Sequence, residues 1–354
     1  MFNNVYKNKK IFVTGHTGFK GSWLCLWLES MGANIVGYSL PPPTNPNHYD
    51  LIDLKVSSVI GDLRNYSQLL DTLQEHKPEI VFHLGAQSSV LYSYTRPLET
   101  FEINLMGTCN VLEACRYVES IKAIIIVSTD KCYENKEWIW GYRENDPMGG
   151  HDPYSTSKAL VELVTTSYRR SFFSVDKCKN NHNVLISSVR SGNIIGGGDW
   201  KEDRLIPDAV KSAGMQQMFG IRNPQSTRPW QHVLEPIYGY LLLGQRLLEG
   251  KKEYSGAWNF GPTDDGNRTV LFVVNELKKY WSKIQYEILP RENNFHEAKL
   301  LKLDCSKAHT ELNWKPVWTF SQTLEKTALW YREYYENSKV ISREQLADYI
   351  NCMI

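Results

Sequence analysis

Three glycines at regular spacing, Gly15, Gly18 and Gly21, stand between a strand-like and a helix-like segment near the N-terminus. Ile11–Thr14 has the apolar character of a buried strand, and Lys20–Met31 carries apolar residues at helical spacing. Glycines allow a tight turn and let the N–H groups of a helix N-terminus approach a pyrophosphate. The order strand, turn, helix therefore predicts dinucleotide binding, with a purely structural turn as the alternative.

Strand-like and helix-like segments continue to alternate along the chain. Further segments with the character of buried strands are Asn34–Tyr38, Val56–Ile60, Glu79–His83, Ile121–Ser128 and Val184–Arg190. Apolar residues at helical spacing separate them at Tyr66–His76, Glu99–Ser120 and Tyr154–Phe173. This alternation predicts an α/β fold, a doubly wound parallel sheet of the Rossmann type with helices on both faces.

The length of 354 residues exceeds the roughly 250–300 that one hydrophobic core usually holds, so we expect two lobes. Residues 1–190 carry the alternating pattern and predict a dinucleotide-binding domain, to which part of the later chain returns. Residues 191–354 are rich in Trp and Pro and predict mainly a smaller, mixed α/β substrate lobe. Within it, the glycine-dense segment Gly192–Trp200 suits the approach of a ligand to the backbone.

Charge and cysteine content argue against several classes of protein. The 40 Lys and Arg balance 39 Asp and Glu, so no basic excess favours nucleic acid. Apolar runs such as Ala123–Val127 are far shorter than the ~20 residues of a membrane span, and no secretory signal is visible. The 7 Cys form no Cys-x-x-Cys pair, and no His stands at zinc-ligand spacing. We therefore expect a cytoplasmic protein with reduced thiols and without metal, membrane or nucleic-acid partners.

The second predicted strand lacks the acid that normally binds the ribose hydroxyls of NAD. It ends Gly37-Tyr-Ser-Leu-Pro41, without an acid and without a nearby Arg or Lys. This feature does not choose between NAD and NADP. Asp62, after the third strand, is placed to meet an adenine amino group, and a helix cap is an equally good interpretation.

Tyr154 and Lys158 are one helical turn apart on one face of a predicted helix. A nearby ammonium lowers the pKa of a phenol, so this pair suits proton removal from a hydroxyl near neutral pH. Tyr6 and Lys10 repeat the spacing, but Tyr6 precedes the first strand, where no cofactor reaches. Position therefore selects Tyr154 and Lys158 as the candidate pair.

The fifth predicted strand ends in Ser128-Thr-Asp-Lys131, at the edge where open α/β sheets bind ligands. Thr129 offers a hydroxyl to a substrate oxygen, while Asp130 and Lys131 add an acid and a possible base; a solvated ion pair is their alternative. His83 ends an apolar strand and is predicted to be a packed core residue. Polar groups suited to a nucleotide diphosphate, or else to surface salt bridges, are Arg190, Asn193, Arg204, Arg228 and His232.

In combination, the glycine spacing, Thr129 and Tyr154-x-x-x-Lys158 resemble the extended short-chain dehydrogenase/reductases that act on nucleotide sugars. Within that family, the chain from Lys10 to Trp330 resembles the CDP-glucose 4,6-dehydratases. The CDP-glucose enzymes resemble this chain in carrying Thr-Asp-Lys after the fifth strand, where dTDP-glucose dehydratases have Thr-Asp-Glu. The segments that carry this resemblance include Gly15-His-Thr-Gly-Phe-Lys-Gly-Ser-Trp23, Gly141-Tyr-Arg-Glu-Asn145, Gly196-Gly-Gly-Asp-Trp200 and Arg228-Pro-Trp-Gln-His-Val233.

The resemblance implies NAD as the cofactor and a nucleotide sugar as the substrate. The residues it implies in catalysis are Thr129, Asp130, Lys131, Tyr154 and Lys158. Those it implies in cofactor binding are Gly15, Thr17, Gly18, Phe19, Lys20, Gly21, Asp62, Leu63, Leu84 and Ala86, together with Tyr154 and Lys158. Those it implies in substrate binding are Gln87, Asn193, Arg204, Arg228 and His232.

The implied reaction begins when Tyr154, helped by Lys158 and Thr129, takes the O4 proton while hydride leaves C4. A base then removes the C5 hydrogen, Asp130 protonates the departing 6-hydroxyl, and hydride returns to C6. Lys131 is either that base, for which it must be neutral, or an electrostatic stabiliser of the enolate. The product, CDP-4-keto-6-deoxyglucose, is a precursor of deoxysugars in surface polysaccharide such as the O-antigen of lipopolysaccharide.

Three other interpretations stay open: a dehydratase for another nucleotide sugar, a nucleotide-sugar 4-epimerase, and a non-catalytic dinucleotide-binding scaffold. The pair Asp130 and Lys131 argues against the epimerase, which needs only Tyr154 and Lys158. Fold analogy implies a homodimer, possibly a tetramer, in which the helices Glu99–Ser120 and Tyr154–Phe173 pack across a two-fold axis.

Overall fold

The computed structural model describes residues 2–174, 184–289 and 300–353. Its strands are β1 Lys10–Thr14, β2 Asn34–Ser39, β3 Val56–Ile60, β4 Ile80–His83, β5 Ala123–Val127, β6 Leu185–Ser191, β7 Asn193–Ile195, β8 Met218–Ile221, β9 Thr227–His232, β10 Ala257–Phe260, β11 Asn267–Thr269 and β12 Gln285–Ile288. Its α-helices are α1 Phe19–Ser30, α2 His48–Leu51, α3 Tyr66–His76, α4 Val90–Thr95, α5 Pro97–Phe101, α6 Gly107–Cys115, α7 Pro153–Ser171, α8 Leu205–Gly214, α9 Leu234–Leu248, α10 Val270–Tyr280, α11 Ser306–Glu311, α12 Phe320–Asn337 and α13 Ser342–Cys352.

Seven strands form one sheet in the order β10-β6-β5-β4-β1-β2-β3, and every pair in it is parallel. The order reverses between β1 and β4, and a sheet of this kind opens a crevice at the carboxyl ends of its strands there. The predicted doubly wound parallel sheet is thereby confirmed. The later chain adds β10 to its edge and builds two small sheets, β11-β9-β7 and β12-β8.

Successive residues of the central strands enter cores on opposite faces of the sheet. In β1, Ile11 and Val13 pack in the core that contains Trp23 and Trp27 of α1, and Phe12 packs in the core formed with α3, α6 and α7. A strand buried on both faces must be apolar at every position, which explains the continuous apolar runs in the sequence.

The predicted helix Glu99–Ser120 is interrupted, so its continuity was wrong. α5 and α6 are separated by a π-helix, Glu102–Met106. Its wider turn holds the buried Asn104, whose Oδ1 accepts the Gln87 N–H at 2.8 Å and whose Nδ2 donates to Ser157 Oγ at 2.8 Å. Asn104 thus joins the loop after β4 to α7, and π-turns often mark such functional positions.

The glycine-dense segment Gly192–Trp200 packs against the protein's own aromatic rings, which corrects the expectation of a backbone open to a ligand. A Cβ at Gly197 would lie 2.0 Å from the Trp330 ring, and one at Gly198 would lie 2.5 Å from His48. The Tyr331 hydroxyl donates to Asp199 O at 2.7 Å. These glycines make room for core side chains.

No helix among the described residues combines the length and apolar character needed to cross a bilayer. Cys25, Cys115, Cys132 and Cys305 are buried free thiols. Cys178 lies outside the described residues.

Candidate active site

The glycine turn after β1 forms a narrow cradle at the crevice. Gly15 has a φ of +73°, and its N–H donates to Tyr38 O at 3.0 Å. A Cβ at Gly21 would lie 2.1 Å from Gly15 O, so α1 can begin this close to the turn only with glycine there. The N-cap of α1 is Gly18, which carries no side-chain acceptor for the N–H groups of the first turn. These donors and the helix dipole suit a pyrophosphate.

Residues beside the turn connect it to the neighbouring strands. Thr17 Oγ1 bonds Ser39 Oγ at 2.8 Å and donates to Leu40 O at 2.9 Å, where β2 ends. The Leu84 N–H donates to Thr14 Oγ1 at 3.1 Å, which draws the end of β4 against β1. Phe19 and Ala86 are partly exposed at this edge.

Lys20 extends from α1 towards the second half of the chain. Its Nζ donates to the Tyr240 hydroxyl at 3.4 Å. Desolvation, followed by the charges of Lys158 and Arg204, lowers the pKa of Lys20 to about 7, and Asp130 opposes the shift. Lys20 therefore shares one electrostatic environment with the candidate catalytic residues.

Asp62 forms a local ion pair after β3. Its Oδ2 lies 2.6 Å from Arg64 Nη2, and these hydrogen bonds lower the pKa of Asp62. Asn65 caps α3, so the helix-cap interpretation of Asp62 was wrong. Leu63 is buried, and its Cδ1 stands 2.9 Å from where a Cβ at Gly85 would be.

Tyr154 lies in the first turn of α7 at the carboxyl edge of the sheet, where Asp152 caps the helix by accepting the Ser155 N–H at 2.9 Å. Tyr154 is 8% exposed, and the side chain of Thr129 acts on the pKa of its hydroxyl. Desolvation raises the pKa of Tyr154 to about 12, against the Thr129 hydrogen bond and the charge of Arg204. The expected lowering of this pKa was wrong for the chain alone, because the desolvation of the phenol outweighs its favourable contacts.

Asp130 is fully buried beside Tyr154. Thr129 Oγ1 donates to Asp130 Oδ1 at 3.0 Å, and Lys131 Nζ lies 3.6 Å from the same oxygen. Oδ2 has no hydrogen-bond partner within the described ranges. A buried carboxyl oxygen without a partner carries a desolvation cost, which a substrate hydroxyl would offset.

Lys158, one helical turn after Tyr154 in α7, donates to Val127 O at 3.3 Å. Desolvation lowers the pKa of Lys158 to about 8, and the negative charge of Glu162 opposes this. Glu162, one turn further along α7, pairs with Arg190 at 2.8 Å in the interior. Our reasoning missed Glu162, whose Lys158-x-x-x-Glu162 spacing could have revealed it.

Arg190 does not face the crevice, so its place among the diphosphate-binding residues was wrong. It is 3% exposed, and besides Glu162 it donates to the Tyr133 hydroxyl at 2.6 Å. A buried carboxylate and a tyrosine hydroxyl occupy the guanidinium that a diphosphate would need.

Two other predicted substrate residues have their side chains engaged within the protein. His232 is fully buried with its ring centroid 4.7 Å from that of Trp318, and burial lowers its pKa to about 3. The Gln87 side-chain amide donates to Ser89 O at 2.9 Å and to Thr100 Oγ1 at 3.0 Å. These contacts argue against substrate binding by both side chains.

The other three predicted substrate residues, Arg204, Asn193 and Arg228, differ from one another in their surroundings. Arg204 pairs with Asp199 at 2.8 Å, and its charge acts on Tyr154 and Lys20. Asn193 Oδ1 is buried without a partner among the described residues. Arg228 is buried on β9 and donates to Thr227 O at 2.9 Å. Of these three substrate candidates, Arg204 is the one whose charge acts on the candidate catalytic residue Tyr154.

The remaining predicted core groups are internal. His83 is held between Thr14 Oγ1 at 2.7 Å and Thr108 Oγ1 at 3.0 Å, which confirms it as a packed residue. The Tyr6 hydroxyl donates to Leu241 O at 2.5 Å inside the protein, so the second Tyr-x-x-x-Lys copy is structural.

The site as a whole fits an anionic dinucleotide. The glycine cradle offers backbone donors, and the charges of Lys158, Arg204 and Asp130 all act on Lys20. No group of three His, Cys, Asp or Glu in the described part of the chain could hold a metal ion.

This fold, with a buried tyrosine and lysine one turn apart at the carboxyl edge of the sheet, defines an extended short-chain dehydrogenase/reductase. The family model for GDP-mannose 4,6 dehydratase matches residues 12–327. The chain therefore belongs to the GDP-mannose 4,6-dehydratase family.

Individual proteins agree with this assignment. The chain is 47% identical to the CDP-glucose 4,6-dehydratase of Salmonella typhimurium, over 98% of both chains. It is 25% identical to a probable dTDP-glucose 4,6-dehydratase of Sinorhizobium fredii, over 92% of this chain and 93% of that protein.

Solved structures share the fold. The epimerase Mth375 of Methanothermobacter thermautotrophicus superposes with a TM-score of 0.83 at 23% identity, over 95% of this chain and 96% of that one. The dTDP-glucose 4,6-dehydratase of Bacillus anthracis, solved in complex with NAD, has a TM-score of 0.74 at 21% identity, over 92% and 97% of the two chains.

Proposed function

We propose that this protein is a CDP-glucose 4,6-dehydratase that uses NAD and releases CDP-4-keto-6-deoxyglucose. The observation that carries the proposal is the buried Asp130, which accepts the Thr129 hydroxyl hydrogen bond and keeps its other oxygen without a partner in the described chain. Oxidation at C4 needs only a proton acceptor such as Tyr154, whereas loss of water also needs an acid. The high identity to the Salmonella enzyme supports CDP-glucose as the substrate.

NAD, when bound, supplies the acceptor that takes hydride from C4 and later returns it to C6. Tyr154, as its phenolate, takes the O4 proton, and the side chain of Thr129 lowers the pKa of this phenol. Lys158 adds a cation one helical turn from Tyr154 that favours its ionised form. The glycine cradle and Lys20 bind the dinucleotide at the other side of the crevice.

Asp130 and Lys131 together manage the elimination. Asp130 donates a proton from its carboxyl group to the departing 6-hydroxyl, and Lys131 removes the C5 hydrogen or stabilises the resulting enolate. The pair of a protonated Asp130 and a neutral Lys131 differs from the ion pair only in which side chain holds the proton. Lys131 Nζ lies 3.6 Å from Asp130 Oδ1. When Lys131 is the C5 base, it passes the proton taken from C5 across this contact to the carboxylate left on Asp130, so this route draws no proton from solvent.

The test is to incubate the protein with NAD and, separately, with CDP-, dTDP-, GDP- and UDP-glucose. Dehydration gives a 4-keto sugar, which absorbs strongly in alkali, and mass spectrometry shows the loss of water. Formation of CDP-galactose without loss of water would establish a 4-epimerase instead. NAD binding without turnover of any of these substrates would establish a non-catalytic scaffold.

The assembly we propose is a homodimer in which α5, α6 and α7 meet the same helices of a second copy, with a tetramer as an extension. These helices and the residues directly adjoining them expose large apolar side chains: Leu98, Met106, Tyr117, Leu163 and Phe172. An exposed apolar surface of this kind suits a protein interface. Light scattering at micromolar concentration should give a dimer mass, and Leu163→Glu should shift it to the monomer mass; a monomeric wild type contradicts the proposal.

We further propose that residues 1–190, with β10, form the dinucleotide-binding domain and that residues 191–354 are mainly the substrate lobe. The pairing of β10 with β6 supports the return of the later chain to the first domain. The buried free thiols fit a reducing compartment, and we place the protein in the cytoplasm.

A further inference from the structure

Three polar side chains from two loops meet at the crevice. Ser88 lies in the loop between β4 and α4, and Lys201 and Arg204 lie in the loop before α8. Lys201 Nζ donates to Ser88 Oγ at 3.0 Å, and Arg204 Nη2 donates to the same oxygen at 3.1 Å. The charge of Arg204 also reaches Tyr154, so this cluster borders the catalytic residues.

The cluster has more positive than negative charge. Asp199 is the neighbouring carboxylate, and its Oδ2 accepts from Arg204 Nη1 at 2.8 Å. Its Oδ1 accepts the backbone N–H of Lys201 at 3.1 Å, not the ammonium. No carboxylate in the described ranges pairs with Lys201 Nζ, and desolvation lowers the pKa of Lys201 to about 8. An anion bound here would relieve the desolvation cost of this ammonium.

The Ser88 hydroxyl completes an array of donors. It already accepts hydrogen bonds from both cations, so its own proton is directed away from them and can be donated to a ligand oxygen. The Lys201 ammonium has three N–H donors and uses one on Ser88. The two side chains together can thus surround one anionic oxygen.

We propose that Ser88 and Lys201, acting with Arg204, bind a diphosphate oxygen of the nucleotide sugar. Lys201 supplies the charge, and Ser88 supplies a hydroxyl donor that the two cations polarise. The substrate diphosphate is favoured over that of the dinucleotide, because the loop of Lys201 belongs to the second half of the chain and Arg204 acts on Tyr154. This inference rests on the proposed function.

The test measures the affinity of the NAD-loaded protein for CDP by calorimetric titration, with Lys201→Met, Lys201→Arg and Ser88→Ala as variants. A charge-assisted hydrogen bond predicts about a tenfold or greater loss of CDP affinity in Lys201→Met. Ser88→Ala should lose about three- to tenfold, as for a neutral hydrogen bond. Lys201→Arg keeps the charge and should retain most of the affinity. The loss in Lys201→Met should shrink as salt is added.

Lys279→Met is the matched control, because Lys279 is exposed on α10 and pairs with Glu276; its CDP affinity should equal that of the wild type. Wild-type CDP affinity in both Lys201→Met and Ser88→Ala overturns the inference. A loss of NAD affinity with CDP affinity intact assigns the cluster to the cofactor and also overturns it. Should Lys201→Met fail to fold, Ser88→Ala decides alone.

The same preparations separate this inference from the proposed function. A wild type that dehydrates CDP-glucose, while the variants bind CDP normally, refutes only the role of Ser88 and Lys201. A wild type that binds CDP through these residues but turns over no nucleotide sugar refutes only the dehydratase.

Discussion

Replacing Asp130 with Asn separates the two halves of the proposed reaction. Asn has the size of Asp, and its carbonyl oxygen can still accept the Thr129 hydroxyl hydrogen bond, which spans 3.0 Å in the wild type. The side-chain amide, however, has no acidic proton to release to a departing hydroxyl. Oxidation at C4 should therefore proceed, while elimination stalls.

The magnitude follows from the surroundings of Asp130. Loss of a general acid costs about 10²–10⁴ in rate, or about 3–5 kcal/mol of activation free energy. The fold should suffer less, since the contact with Lys131 is 3.6 Å long and the Lys131 side chain is 31% exposed. The charge that the substitution leaves unpaired is that of Lys131, which water can reach, so the loss in the free energy of unfolding should be smaller than the rise in the activation free energy.

The assay mixes the NAD-loaded variant with CDP-glucose and follows the near-ultraviolet absorbance of reduced nicotinamide together with the 4-keto-6-deoxy product. The absorbance should rise and persist while product formation falls by the predicted factor. Tyr154→Phe is the control that blocks the first step and should give neither signal. Product formation by Asp130→Asn at a rate close to wild type refutes the acid role.

Three further changes test other parts of the structure. Lys131→Arg keeps the positive charge but removes a usable base. It should retain activity if Lys131 stabilises the enolate, whereas it should lose about 10²-fold or more, as Lys131→Met should, if Lys131 is the C5 base. Steady-state rates of the two variants distinguish these outcomes. Burial raises the pKa of Glu235 from 4.5 to about 7 in the folded protein. The protonated side chain therefore contributes to stability fully below pH 4.5, and this contribution is lost as the pH rises through about 7. Urea unfolding should show a fall of about 3 kcal/mol across this range, which Glu235→Gln removes. Gly21→Ala should abolish NAD binding or folding, because its Cβ would lie 2.1 Å from Gly15 O. In the control Gly256→Ala, the nearest atom would be 3.6 Å from the new Cβ, so this variant should resemble the wild type. Fluorescence titration with NAD compares the two variants.

The sheet was predictable because its signals are local. Apolar runs such as Ala123–Val127 mark strands buried on both faces, and the glycine spacing after β1 marks a turn that can hold phosphate. The helix Tyr66–His76 was predicted with the bounds that the structure shows. The π-helix at Glu102–Met106 was not predicted, because Asn104 is held there by Gln87 and Ser157, which are distant in sequence.

The candidate site likewise has a part that the sequence predicted and a part that only the folded chain shows. Sequence spacing was enough to pair Tyr154 with Lys158 and to place Thr129, Asp130 and Lys131 at a strand end, since a helical turn and a strand terminus are properties of a few adjacent residues. Whether a polar residue faces the crevice or the interior depends on partners elsewhere in the chain. Arg190 is neutralised by Glu162 and His232 packs beside Trp318, while Ser88 and Lys201 meet across 113 residues. Burial and the charge of neighbours set these roles, and both quantities exist only after the chain has folded.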